Sequence, residues 1–160
     1  MAKSAYDIAA DATYAQAAHT AIRHQLHEMM DNLPGTRAGD DIEALHDMRV
    51  ASRRLRAALS VFAAAFPPKP FRALEKRVAR ITDALGVVRD ADVLIEFVTQ
   101  ARDAASESER VGVDAFLEHL TNQREQDRVA LVKALNKLEN SSFLKDFDAL
   151  LDQGEGGAHG

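Results

Sequence analysis

No cysteine occurs anywhere in the 160 residues, which excludes a disulfide framework, a thiol nucleophile and a cysteine-ligated zinc site. The lack of disulfides fits a reducing compartment. Tryptophan is also missing and tyrosine occurs twice, so there is little aromatic surface on which nucleic-acid bases could stack. No apolar run approaches the ~20 residues of a bilayer-spanning helix, and the opening MAKSAYDIAADATY has no secretory h-region. A cytoplasmic protein with no membrane partner is the expectation. Runs of β-branched residues are few and Asn-Gly turns are absent, which argues against strands. The chain has no H-E-x-x-H, no carboxylate triad and no glycine-rich phosphate loop. The i, i+4 pairs His19/Arg23 and His24/Glu28 resemble metal-ligand spacing only superficially. Neither an enzyme nor a metal or other cofactor is expected.

Apolar residues make up 46% of the chain, enough for a core in a single domain of this length. A helical domain is expected over residues 1–153, followed by a flexible tail at 154–160. The first helix is expected from Ser4 to Asp31, turning Ile8, Ala12, Ala15, Ala18, Ile22, Leu26 and Met29 inward. NLPGTRAG breaks it. Asp40, with Glu43 three residues on, has capping-box spacing and opens a second helix that ends near Phe66, before PPKP. A third helix runs from about Pro70 to Ala105, with Gly86 as a candidate kink. Ser106 and Glu109 repeat the capping-box spacing and open a fourth helix to about Asn136. Its apolar positions are Val113, Phe116, Leu117, Leu120, Val129, Leu131, Val132, Leu135 and Leu138. SSFLKDFDALLDQ supplies a short fifth helix that closes one end. The fold class expected is all-α: a single four-helix up-down bundle with a short extra C-terminal helix.

Charge is distributed unevenly. The chain carries a formal charge of −5, yet Arg49 to Arg80 holds nine cations against the single acid Glu75. At about 100° per residue, His46, Arg49, Arg53 and Arg56 fall within roughly 80° on one helix face. Leu45, Met48, Leu55, Leu59, Phe62 and Phe66 fill the neighbouring arc. A cationic stripe beside an apolar one, with about one charge per 5.4 Å turn, suits a repeating anion better than one small ligand.

The segments GDDIEALHDMRVASRRLRAALSVF and LEKRVARITDALGVVRDADVLIE together resemble the CHAD domain (conserved histidine α-helical domain). The likeness is specific over about Asp40 to Phe97 and looser on the flanking helices. It implies an all-helical protein that binds inorganic polyphosphate through basic residues around a central pore. It also implies a CYTH-type triphosphate-processing partner and an association with polyphosphate granules. A full-length member resembles two four-helix bundles related by an approximate two-fold axis, whereas this chain holds one bundle and one copy of the motif. A homodimer, its symmetry axis replacing the internal one, is therefore expected.

On this reading the polyphosphate-binding residues are His46, Arg49, Arg53 and Arg56 of the second helix with Arg72, Lys76 and Arg80 of the third, spaced four apart. Arg54 joins them, although it lies about 80° from His46 on the opposite side from Arg56. Lys69 begins the third helix's row, and Arg77 lies off it as a solvated side chain. Arg89, carried over from the RDADV motif, is more simply an ion-pair partner of Asp90, Asp92 or a neighbouring helix. Asp90 and Asp92 anchor helices or orient arginines. Arg23 and His27 of the first helix are lesser candidates for the wall. The rival readings are a grip on nucleic-acid backbone phosphates by the same stripe, and a phosphocarrier using His46.

Overall fold

The computed structural model describes residues 7–156, with side chains described through Gln153. It contains α1 (Tyr14–Asp31), α2 (Leu33–Ala38), α3 (Ile42–Val61), a 3-10 turn at Ala63–Ala65, α4 (Pro68–Ala104), α5 (Glu107–Glu139) and α6 (Phe143–Gly156). No strand occurs among the described residues, and the all-α expectation holds.

Helix starts follow local capping chemistry. Ser4 lies outside the described residues, and Asp7–Thr13 is not helical, so α1 begins later than its alanine-rich sequence suggests. Thr13 sets the start: its hydroxyl accepts from the Gln16 N–H at 3.1 Å while the Gln16 side chain accepts from the Thr13 N–H at 2.9 Å. Ile8, expected inward, is consequently exposed. At α3 the cap is Asp41, not Asp40, its carboxylate accepting from the Glu43 N–H at 2.9 Å. Ser106 and Glu109 form the expected capping box at the head of α5. Helix α4 runs unbroken through Gly86. The backbone of α6 continues to Gly156, past the expected start of the tail, and residues 157–160 lie outside the described residues.

The segment expected to be only a break folds into α2, with Pro34 tolerated in its first turn. It stops at Gly39, which adopts φ +76°. Arg128, reaching across from α5, donates to the carbonyls of Thr36 at 3.0 Å and Arg37 at 2.6 Å. These are carbonyls that a helix end leaves without intrahelical partners. A Cβ on Gly39 would lie 2.2 Å from the Arg128 guanidinium. Gly39→Ala therefore meets both a left-handed backbone penalty and a clash with the cap. We expect it to cost about 2 kcal/mol, read as a lower urea midpoint; an unchanged midpoint would contradict this account of the α2–α5 junction.

Three contacts fix how the long helices run. The Tyr14 hydroxyl at the start of α1 donates to the Val61 carbonyl at the end of α3. Arg49 of α3 lies over Gly86 of α4, and Arg102 near the end of α4 binds Asp114 near the start of α5. Each successive pair is thus antiparallel. Ile22, Met29, Met48, Leu55, Leu59, Val78, Leu85, Leu131 and Leu135 fill the core between them. Helix α6 closes one end against α1 and α4, burying Phe143, Phe147, Leu150 and Leu151.

Not all of α4 and α5 joins this core. Between Val88 and Leu131 only Val98 is buried. The far halves of the two helices project as a hairpin that packs on itself. Phe116 and Val129, two of the apolar positions of this helix, are exposed. The helical period identifies the apolar positions, but no helix among the described residues covers these two.

Candidate anion-binding site

Burial of Leu45, Met48, Ala51, Ser52, Leu55, Ala58 and Leu59 fixes the rotation of α3. With that side against the core, His46, Arg49, Arg53 and Arg56 lie on the flank nearer α4 and solvent. His46 and Arg49 are half-buried, whereas Arg53 and Arg56 are exposed. Arg49 faces Gly86 of α4, where a Cβ would stand in ordinary contact, 3.5 Å from Arg49 Nε. That Nε is buried and makes no hydrogen bond among the described residues. Farther along, Arg53, Arg56, Ala57 and Ser60 of α3 and Glu75 of α4 line a shallow open concavity.

On α4, Lys69, Arg72, Lys76 and Arg80 are all exposed, but they do not form one wall with α3. Arg80 turns toward α5, where it lines a second groove with Arg77, Ala134, Lys137, Leu138 and Ser141. Helical spacing puts Arg72 on the side nearer α3 and Lys76 between the two. Lys137 was not legible as part of this surface, because nothing in the sequence of α5 distinguishes it from Lys133, its exposed neighbour one turn earlier.

Arg77 is not solvated, as its sequence position suggested. It donates to Asp146 at 2.8 Å and to Ser141 at 2.7 Å, and its guanidinium stacks 5.1 Å from the Phe143 ring centroid. It ties α6 to α4. The Arg77 and Ser142 hydrogen bonds also hold the Asp146 carboxyl below its ordinary range, the Ser142 bond contributing most. The ion pair expected for Arg89 is absent among the described residues. Asp92 pairs instead with Arg124 of α5, leaving Arg89 half-buried at the level of His46. Arg23 faces α6, 3.6 Å from Asp148. His27 is exposed on the side of α1 opposite its buried positions. Neither reaches the α3–α4 surface. Arg54 is exposed on the flank of α3 away from α4, outside the concavity.

The electrostatic contrast is clear. Arg23, Arg37, Arg77, Arg102 and Arg124 each have a carboxylate partner, and Arg128 is committed to backbone carbonyls. Among the described residues of the basic surface, only Arg56 forms an ion pair, with Asp83 at 3.9 Å between well-exposed side chains. Arg49, Arg53, Arg54, Lys69, Arg72, Lys76, Arg80 and Arg89 make no ion pair among the described residues. No group of three or more side chains positioned to hold a metal ion occurs among them either.

The fold and this surface define an all-helical protein with an exposed cationic face of mostly uncompensated guanidinium groups. A family model described as the CHAD domain matches residues 20–159, nearly the whole chain. The chain belongs to the CHAD domain family. No curated protein matches it.

Proposed function

We propose that this protein is a non-enzymatic module that binds inorganic polyphosphate along the basic surface of α3 and the adjoining side of α4. One observation carries the reading: Arg23, Arg37, Arg77, Arg102 and Arg124 have carboxylate partners and Arg128 is committed to backbone, while Arg53 and Arg72 make no ion pair among the described residues and Arg56 makes only a long, exposed one. Unpaired guanidinium groups hold electrostatic free energy that an incoming anion can release. Guanidinium meets phosphate oxygens through two parallel hydrogen bonds and stays charged at any physiological pH. Arg53, Arg56 and Arg72 form the centre of the surface, with Lys76 extending it. Arg49 and His46, both half-buried, continue it along α3. Arg80 and Lys137 form a separate flank. Membership of the CHAD domain family supports this ligand class, and the apolar-poor, open form of the concavity fits a chain molecule better than a small enclosed substrate. A cytoplasmic location, granule association and a CYTH-type partner belong to the same proposal.

Polyphosphate binding should weaken steeply with salt as counterions are displaced, in the manner of other polyanion complexes. Competition between polyphosphate and single-stranded RNA of equal charge tests the ligand class. We expect polyphosphate to displace RNA at substoichiometric charge; equal competition would favour the nucleic-acid reading. Treatment with a phosphodonor should yield no acid-labile label, and a label on His46 would replace binding with phosphotransfer.

A further inference from the structure

The exposed side of the projecting hairpin carries a second, chemically different surface. On α4, Val87, Leu94 and Ala101 recur every seven residues, and Phe97 and Ala104 follow at the intervening positions. This is the spacing of a helix seam that packs against another helix. Asp90 is the one polar member. No helix among the described residues covers the seam: Val87 is 53% exposed, Leu94 41% and Phe97 67%. Beside it, Val93 is 49% exposed. The Arg102–Asp114 and Asp92–Arg124 bonds set the hairpin register and bring Phe116, 47% exposed, to the level of Ala101.

We infer that this seam pairs two copies of the chain, α4 against α4, about a two-fold axis near Leu94 and Phe97. The five exposed apolar side chains present roughly 450 Å² per copy, within the range of about 300–600 Å² found for the largest, often functional, patch on a monomer. Two such faces with their rims bury about 1,000 Å², the least that a specific interface requires. A two-fold arrangement needs no other protein, because the surface is its own complement. The pairing does not rest on the polyphosphate reading: Lys76 and the basic surface lie well along α4 from the seam.

Sedimentation equilibrium of the full chain without polyphosphate tests the pairing. We expect a species of twice the 17.5 kDa chain mass that dissociates on dilution. Phe97→Glu should weaken it about thirty-fold or more and leave helical circular dichroism intact, because the side chain is mostly exposed. Since the chain lacks cysteine, Leu94→Cys should form an intermolecular disulfide under mild oxidation, whereas Ala64→Cys should not. A monomer at every concentration, a dimer unaffected by Phe97→Glu, or equal cross-linking at both cysteines would overturn the assignment. Because pairing is measured without polyphosphate, its failure would leave the binding reading standing.

Discussion

The double reversal Arg53→Glu/Arg56→Glu is expected to reduce polyphosphate affinity at least about a hundredfold, since each lost charge-assisted contact is worth roughly 1.5–3 kcal/mol. Calorimetry or fluorescence competition at fixed salt would measure it. The fold should survive. Both side chains are exposed, neither contributes to the core, and the Arg56–Asp83 pair is too long and too solvated to matter much. The informative control is Lys133→Glu/Lys145→Glu, which changes net charge equally at two exposed positions on α5 and α6. If that control weakens binding as much, the effect is long-range charge and the α3 surface is not the site. Arg54→Glu should fall between the two, because Arg54 shares the helix but points away from α4.

How far this surface was legible depended on what sets each feature. The rotation of α3 follows from its own apolar period, so His46, Arg49, Arg53 and Arg56 could be grouped from sequence. The α4 row was harder. Four-residue spacing drifts around a helix by about 40° per step, and over Arg72, Lys76 and Arg80 the drift carries the last residue across to α5. Sequence spacing sees a stripe where packing makes two flanks. Arg77 and Arg89 exchanged expected roles for the same kind of reason. The carboxylates flanking Arg89 in sequence leave the helix in other directions, while Asp146, distant in sequence, is brought to Arg77 by α6. At the helix ends the signals are local: Thr13 and Gln16 have capping-box spacing, and a proline in the first turn is compatible with the short α2. The exposed positions of α5 are a different case. Their period is right, and only tertiary arrangement decides that nothing lies against them.

The Asp92–Arg124 pair offers the largest expected stability effect. Asp92 stands in the RDADV segment, yet its side chain is only 8% exposed and is bonded to Arg124, itself 17% exposed. The hydrogen bond to Asp92 is the main influence raising the Arg124 pKa. The pair locks α4 to α5 where the hairpin leaves the core, and the other Asp92 oxygen, Oδ2, is buried without a hydrogen-bond partner among the described residues. Such a pair gains little over a well-packed apolar contact, but removing one member strands the other charge. Asp92→Ala should therefore cost about 3 kcal/mol, measured by urea unfolding. Asp92→Leu/Arg124→Met, which removes both charges and restores volume, should recover most of that loss. Polyphosphate affinity at low temperature should change little in either variant, because Asp92 holds the scaffold and does not face the basic surface. If the double replacement is as unstable as the single one, the pair is an essential source of stability and not a register lock. If instead Asp92→Ala leaves stability unchanged but alters polyphosphate affinity, Asp92 acts on the binding surface, and the division between scaffold and site drawn from these contacts is wrong.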